Sequence, residues 1–345
     1  MAAQFLFFLS LLLIQRFRFR IRLPMFNEKA AGNSGLFAFP FSRLWVCRLP
    51  THCWLQRAER DGRHLSSRAK ADIVALEASL AYDFMTKLLV LSLLLTPSVL
   101  AQLPPGNEKG VSMGHLHLRV SDLDVHKKLW IDALGAKAVK LGRLEAYQFP
   151  GVQVLLTKGP PSGGTEGSVV DHLGFKVKNL EETKAKLTAA GAKVLSENPK
   201  VHQMFIELPD GIKVEFYENA MQSDPVVHDH IHFAVPQIDE QRAWYEKMFG
   251  AVPGMSGIFK AADVPGVNLR WRAADSKLPG TKGRGVDHIG FEVTNLEAFC
   301  KKLEAEGVKF DMPYRSFPQM GLSIAFLTDP WGVYIELTEG LAKMK

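Results

Sequence analysis

Cysteine is scarce in this 345-residue chain, and its positions exclude a disulfide-stabilised fold for most of the length. Only three cysteines occur. Cys47 and Cys53 lie near the N-terminus, so Cys300 alone remains after residue 84. No internal disulfide can form in that larger part, whose stability must come from a hydrophobic core. Cys300 falls in an amphipathic helical pattern, which predicts a small buried side chain.

An excess of one charge is also missing from the part of the chain after residue 84. The whole chain has 42 Lys and Arg against 36 Asp and Glu, a net charge of +6. Residues 1–84 hold 12 of the basic and 6 of the acidic residues, which leaves 30 of each for the remainder. A balanced charge gives no electrostatic reason to expect nucleic acid as a partner.

No apolar run at the N-terminus is long enough to cross a bilayer. Phe5 to Ile14 is the first such run, and ten residues are too few for a transmembrane helix. Residues 1–84 keep no lasting hydrophobic period, so we interpret them as a leader or a wrongly assigned upstream extension. The alternative is a genuine leader whose first apolar run anchors the protein. For the mature protein we expect no stable membrane span.

A second pattern, typical of a secretory signal peptide, begins at Met85. A lysine follows, then the apolar segment Leu88 to Leu95, then the small-residue cleavage site Val99 to Ala101. Residues 85–101 therefore predict a cleaved signal peptide, with 102–112 as a polar linker. The hypothesis is that translation begins at Met85 and that the mature protein is periplasmic or secreted.

The rest of the chain is an internal repeat, the feature to seek first in any sequence. Three pairs of segments align: 114–136 with 229–251, 170–194 with 286–310, and 208–219 with 329–340. The leading histidines of the first two pairs are 115 and 116 residues apart. The repeat predicts two domains, 113–220 and 226–345, each of two units.

Each unit has the pattern of one strand, one helix and three further strands. Alternating apolar residues predict the first strand. In the second unit Asn179 is a candidate N-cap with Glu182 three residues on, and Gly191 is a candidate helix stop. Turn sequences such as Pro209-Asp210-Gly211 separate the later strands. The predicted fold class is α+β, with four βαβββ units forming two cupped mixed β-sheet domains.

The alternation of the strands divides each unit into an apolar face and a polar face. His115 and His117 point to one side while Leu116 points to the other. By the same alternation, His172 and Glu215 lie on the polar side of their strands. A polar inner face that carries two imidazoles and a carboxylate needs a chemical explanation.

Two imidazoles and one carboxylate form a ligand set that leaves coordination positions open, as catalytic metal sites do. If the two units of one domain form a cupped sheet, the expected groups are His115, His172 and Glu215, and separately His230, His288 and Glu336. These ligand types suit Fe, Mn, Zn or Ni as divalent ions. The sequence leaves open whether units pair within a domain or between domains, which would change which histidine meets which glutamate.

Four motifs in order carry a family resemblance. They are His115 to Leu123, Asp171 to Phe175, Pro209 to Phe216, and the second-domain equivalents His230, Asp287-His288 and Asp329 to Glu336. Over residues 113–340 the chain resembles the vicinal oxygen chelate superfamily. That superfamily includes glyoxalase I, bleomycin-resistance and fosfomycin-resistance proteins, methylmalonyl-CoA epimerase and extradiol dioxygenases. The resemblance implies that the six residues above are metal ligands.

The resemblance also identifies departures. A fourth protein ligand, as in glyoxalase I and the epimerase, would fall near Val154 and Leu269, and both are apolar. This disfavours those two activities and favours the three-ligand branches. His117 and His232 share the inner face, and we interpret them as pocket groups and weak candidates for a general base.

The predicted function is an exported divalent-metal-dependent enzyme of the glyoxalase or dioxygenase type. Its small substrate would chelate the metal through vicinal oxygens, and the protein would be a monomer or homodimer. One alternative is an extradiol-type Fe(II) dioxygenase, although Phe326 stands where that branch has a tyrosine and Phe317-Pro318-Gln319 lacks its histidine. The other is a non-catalytic small-molecule-binding protein similar to the bleomycin-resistance proteins.

Overall fold

The computed structural model describes residues 103–141 and 144–343, with scattered positions between 66 and 87. The chain divides into two compact units, Met1–Pro97 and Ser98–Lys345. The predicted leader and signal peptide fall almost wholly outside the described residues and stay predictions. Among the residues that are described, no helix is long and apolar enough to span a membrane.

Each of the four repeats folds as one strand, a helical segment and three further strands, which confirms the predicted α+β class. The units are defined here as unit 1 (111–158), unit 2 (170–218), unit 3 (226–273) and unit 4 (286–339). The strands of units 1 and 2 are β1 Val111–Val120, β2 Lys137–Leu141, β3 Leu144–Phe149, β4 Val152–Lys158, β5 Val170–Val177, β6 Lys193–Asn198, β7 Gln203–Leu208 and β8 Ile212–Glu218. Those of units 3 and 4 are β9 Val226–Val235, β10 Val252–Ser256, β11 Phe259–Val264, β12 Val267–Ala273, β13 Val286–Val293, β14 Phe310–Phe317, β15 Leu322–Thr328 and β16 Tyr334–Glu339.

One helix follows the first strand of each unit. These helices are α1 Leu123–Lys127, which continues as the π-helix Lys128–Ala133, α2 Leu180–Ala189, α3 Ile238–Phe249 and α4 Leu296–Ala305. The predicted cap of α2 is confirmed, since the Asn179 side chain accepts a hydrogen bond from the Glu182 amide at 2.9 Å. Gly191 follows the helix with φ +96°, a value that favours glycine at a helix end.

The sheets join units from different halves of the sequence. Sheet A has the order β14-β15-β16-β13-β1-β4-β3-β2 and sheet B the order β10-β11-β12-β9-β5-β8-β7-β6. Unit 1 therefore shares a sheet with unit 4, and unit 2 with unit 3. The strand pair at which the two units of a sheet meet is called here the seam. Both seams are antiparallel: β1 pairs with β13, and β5 with β9. Of the two pairings that the sequence left open, the structure has the one between halves.

The apolar faces of the two sheets and the helices bury one continuous hydrophobic core. Aromatic contacts connect units of the same half. Trp130 of unit 1 lies 5.8 Å from Phe175 of unit 2, and Phe249 of unit 3 lies 5.0 Å from Phe291 of unit 4, measured between ring centroids. Cys300 is buried in α4, as predicted. Each half is thus held together by packing, and the two halves by the sheet seams.

Candidate metal centres

Two clusters of histidine and glutamate lie on the polar faces of the sheets, one at each seam. Site A consists of His115, His117, His288 and Glu336, and site B of His172, Glu215, His230 and His232. In each cluster the four ligand-type atoms lie within 4.8 Å of one another. All six residues predicted as ligands therefore belong to the clusters, and so do both weaker histidine candidates.

The predicted grouping of these residues is corrected. His115 joins His288 and Glu336 rather than His172 and Glu215, and His230 lies in the other cluster. The cause is the seam. Antiparallel pairing of β1 with β13 places His117 opposite His288, and pairing of β5 with β9 places His172 opposite His232. Each site therefore combines one strand from one half of the chain with two strands from the other half.

In site A one carboxylate oxygen lies between two imidazoles. The Oε2 atom of Glu336 is 2.9 Å from Nε2 of His115 and 3.0 Å from Nε2 of His288. The two histidines come from β1 and β13 and the glutamate from β16. Three neighbouring strands thus supply one ligand-type group each.

Site B repeats this geometry. The Oε2 atom of Glu215 is 2.9 Å from Nε2 of His172 and 3.0 Å from Nε2 of His230. The two Nε2 atoms are 3.3 Å apart. The second oxygen of Glu215 accepts a hydrogen bond from the Gln203 side chain on β7. All four site B residues are buried.

Two glycines make room for the imidazoles that cross the seam. A Cβ atom on Gly174 would lie 2.0 Å from Cε1 of His230, and one on Gly290 would lie 2.0 Å from Cε1 of His115. Real Cβ atoms do not approach other atoms so closely. The glycine in each Asp-His-x-Gly-Phe motif is therefore required, because the histidine ring of the partner unit occupies the space that a side chain at this position would need.

The third histidine of each cluster, His117 in site A and His232 in site B, is neutral and incompletely hydrogen-bonded. Burial, with His288 and His115 nearby, lowers the pKa of His117 to about 3. Burial, with His172 and His230 nearby, lowers the pKa of His232 to about 3. The Nε2 atom of His117 is 2.6 Å from the Thr157 hydroxyl. Within the described part of the chain, neither ring nitrogen of His232 has a hydrogen-bond partner.

The positions considered for a fourth ligand on the last strand of units 1 and 3 lie one residue away from the inner face. Val154 pairs with Leu116 and Leu269 with Ile231, and all four side chains are buried in the core. The inner positions are Gln153 and Leu155, opposite His115 and His117, and Asn268 and Arg270, opposite His230 and His232. Leucine and arginine are not usual metal ligands. Gln153 is buried, and among the described residues its amide oxygen has no hydrogen-bond partner.

The two histidines of each cluster whose Nε2 atoms contact the glutamate are called here the outer imidazoles. Neighbouring carboxylates orient three of these four rings, a feature that sequence reasoning missed. In site B, Nδ1 of His172 is 2.6 Å from Asp171, and Nδ1 of His230 is 2.9 Å from Asp229. In site A, Nδ1 of His288 is 2.6 Å from Asp287. A carboxylate on the far nitrogen fixes the tautomer and leaves Nε2 free to bind a metal. The recurring Asp-His dipeptide was the available signal.

The fourth outer imidazole lacks such a carboxylate, because glycine precedes it in the sequence. Gly114 stands before His115 where Asp229 stands before His230. Among the described residues, the Nδ1 atom of His115 is buried without a hydrogen-bond partner. A carboxylate therefore orients one of the two outer imidazoles in site A and both of them in site B.

The two glutamates are ionised. Burial alone would raise their pKa values, but hydrogen bonds from His172 and His230 hold the pKa of Glu215 well below its usual range. Charge and hydrogen bonds from His115 and His288 do the same for the pKa of Glu336. An ionised carboxylate between two converging imidazole nitrogens fits a divalent ion, because it supplies the charge and the imidazoles supply neutral nitrogen ligands.

Comparison with known proteins identifies relatives of the whole repeated region. The family model described as glyoxalase/bleomycin resistance protein/dioxygenase superfamily matches residues 112–216 and 227–337. The lactoylglutathione lyase of Schizosaccharomyces pombe is 24% identical over 298 residues, which cover 66% of this chain and 96% of that protein.

Solved structures share the fold. Glyoxalase I from Zea mays superposes with a TM-score of 0.54 at 16% identity, covering 68% of this chain and 94% of that chain. A putative dioxygenase from Bacillus subtilis superposes with a TM-score of 0.50 at 15% identity, covering 69% and 86%. At these identities the likeness establishes the fold alone.

Proposed function

The chain belongs to the glyoxalase/bleomycin resistance protein/dioxygenase superfamily, and on that premise we propose that it is a divalent-metal-dependent enzyme. Its substrate would be a small molecule that binds the metal through two neighbouring oxygen atoms. One observation carries the proposal: at each seam a glutamate carboxylate oxygen lies within 3.0 Å of two imidazole Nε2 atoms from other strands.

The ligands of each proposed ion are two Nε2 atoms and one glutamate carboxylate. They are His115, His288 and Glu336 in site A, and His172, His230 and Glu215 in site B. A divalent ion held there would act as a Lewis acid on a substrate carbonyl or an enolate-type oxygen. These ligand types suit Fe, Mn, Zn or Ni.

The other residues of each site would position the substrate and limit access of water. His117 and His232, neutral and directed at the clusters, would form hydrogen bonds to the bound substrate. In site B the ring of Phe205 contacts His172 at 5.1 Å and that of Phe259 contacts His232 at 4.6 Å, between centroids. Such rings form apolar walls on either side of the cluster and exclude water from it.

The extradiol alternative receives less support. Phe326 occupies the position of that branch's tyrosine and lies 5.4 Å from His288 between ring centroids. A phenyl ring cannot move a proton.

The non-catalytic alternative is favoured by one observation, the aromatic walls of site B, since such walls also suit a protein that only sequesters a ligand.

Metal analysis tests the proposal. The full chain, loaded with each candidate ion in turn, is expected to retain about two ions, one for each open His/His/Glu site. His172→Ala and His288→Ala should each remove one. Lactoylglutathione is the first substrate to assay, because the Schizosaccharomyces pombe relative is named for it. A chain that retains no ion from any of the four metals would refute the metalloenzyme.

Export is a second part of the proposal, supported by the signal-peptide pattern of residues 85–101. The intact mass of the natural protein tests it. Export with cleavage predicts a mature N-terminus near Gln102. Recovery of a chain that still contains the apolar run Phe5 to Ile14 would contradict both cleavage and a start at Met85.

A further inference from the structure

The two sites differ in charge at equivalent positions around their clusters. Four inner-face positions correspond by strand register and repeat alignment: Leu155, Thr157, Tyr334 and Glu292 in site A, and Arg270, Arg272, Lys213 and Lys176 in site B. Site B thus has four cations where site A has an apolar residue, a hydroxyl, a phenol and an acid.

Two of the site B cations share one carboxylate. Arg272 donates from a terminal guanidinium nitrogen to Oδ2 of Asp171 at 2.7 Å, and Nζ of Lys213 lies 3.2 Å from Oδ1 of the same residue. That Oδ1 atom also contacts His172. Arg272 and Lys213 are therefore one carboxylate away from the proposed metal ligand.

The other two cations share the second supporting carboxylate. Arg270 donates to Oδ2 of Asp229 at 2.6 Å, and Nζ of Lys176 lies 2.5 Å from Oδ1. Asp229 in turn contacts His230. The two sides of site B are built alike, with two cations on one aspartate and one histidine beyond it.

One positive charge on each side of site B is left without a matched carboxylate. Two cations and one aspartate leave an excess of one, and this holds at Asp171 and again at Asp229. Glu166 is near Lys213, at 3.9 Å, but its side chain is 73% exposed, so solvent screens that contact. The Arg272 side chain is 41% exposed and can reach a ligand bound on the polar face of sheet B.

Site A has no comparable excess among its described residues. Arg119 lies on β1 but donates to the Pro160 carbonyl at 3.1 Å, away from the cluster. Lys282 covers the Tyr334 ring at 4.2 Å. The Glu292 carboxylate accepts hydrogen bonds from the Thr338 hydroxyl at 2.7 Å and the Gly340 amide at 2.8 Å.

We propose that site B takes a metal-chelating ligand that carries a carboxylate in addition to its chelating oxygen atoms. Site A takes a chelating ligand without that additional carboxylate. The inference rests on the proposed function and deepens it by assigning a substrate class to each site. The planar guanidinium of Arg272 suits bidentate recognition of a carboxylate. Lys213 supplies the neighbouring charge.

The test uses two matched hydroxamate chelators with each site isolated. Glu336→Gln leaves site B, and Glu215→Gln leaves site A, both in the zinc-loaded full chain. Acetohydroxamate is neutral, and the hydroxamate of succinic acid adds one carboxylate. By calorimetry at low salt, the site B protein should bind the carboxylate-bearing chelator about tenfold more tightly, the order of one partly exposed charge pair. The site A protein should show no preference for it.

The natural counterparts provide the matched variants. In the site B protein, Arg272→Thr should remove most of the tenfold preference while the zinc content stays constant, since Lys213 still holds Asp171. In the site A protein, Thr157→Arg should create a preference. Equal preferences in the two single-site proteins, or an unchanged preference in Arg272→Thr, would overturn the assignment.

Metal content, measured first, separates this inference from the proposed function. If neither single-site protein retains zinc, these sites do not hold that ion, and succinate binding to the metal-free chain then tests the anion site alone. Succinate should bind the metal-free chain, and Arg272→Thr should abolish that binding. Metal-free chains that bind succinate equally with and without Arg272 would contradict the inference.

Discussion

Site A and site B have the same ligand-type groups in the same geometry, yet their surroundings differ. In site B both outer imidazoles are held by aspartates, which are held in turn by arginine and lysine. In site A only His288 has such an aspartate, and Gly114 leaves the far nitrogen of His115 unsupported among the described residues. The comparison shows that duplication preserved the histidines and glutamates while their support and charge diverged.

The largest expected effect separates the two sites completely. Glu215→Gln and Glu336→Gln each remove the only carboxylate between two imidazoles, so each should abolish metal binding at its own site. Total metal should fall from about two ions to about one. The measurement is metal content after dialysis, with the distant and exposed Glu306→Gln as control. If one substitution empties both sites, they are not independent, and the comparison fails.

A methyl group at the seam should be nearly as damaging. In Gly174→Ala the new Cβ would displace His230, and in Gly290→Ala it would displace His115. We expect loss of metal at the altered site and destabilisation of about 1–3 kcal/mol, as for other overpacked interiors. Urea unfolding with metal analysis measures both. Gly254→Ala is the control, because its Cβ would meet nothing within 4 Å; equal effects there would refute the steric explanation.

The supporting aspartates should set the difference in affinity between the sites. Asp229→Asn should weaken metal binding at site B by about 10–100-fold, the usual effect of removing an outer carboxylate from a histidine ligand. Site B would then resemble site A. Competition with a chromogenic chelator measures the affinity of each single-site protein. A site A that already binds as tightly as unaltered site B would show that this support is immaterial.

The smallest expected effect concerns a contact between units of one half. In the first half the buried His126 imidazole lies 3.1 Å from Asp210, whereas at the matching position Gln241 donates to Asp329 at 2.8 Å. Burial lowers the pKa of His126 in the folded state, although Asp210 partly opposes this shift. The unfolded chain therefore takes up the proton more readily, and this contribution to stability falls as the pH drops below about 6.5.

His126→Gln copies the second half and should remove that acid sensitivity. We expect the difference in urea midpoint between the unaltered and substituted chains to change between pH 7.5 and 5.5, by less than about 1 kcal/mol in free energy of unfolding. Both chains are treated with chelator, so that loss of metal does not contribute. A difference that stays constant with pH would mean that His126 does not titrate on unfolding.

The sequence predicted the units and the ligand-type residues because both depend on local periodicity. Alternation along β1 assigns His115 and His117 to one face, and the same rule applies to Glu215 on β8. The grouping of those residues depends on which strands meet at a seam, and β1 and β13 are far apart in the chain. No local pattern encodes that register. The inner positions Gln153 and Leu155 on either side of Val154 were missed, because which side chains of β4 face the cluster is fixed only once its pairing with β1 is known.

The pairing of sheet A also determines which sections of chain a bound ion would connect. In site A an ion would join His115 to Glu336, which are 221 residues apart, whereas in site B it would join His172 to His230, 58 residues apart. Closing a longer loop removes more conformational entropy from the unfolded chain, and the difference between these two loops is about 1 kcal/mol. Occupation of site A would therefore act as the stronger cross-link, connecting the first and last units of the described fold.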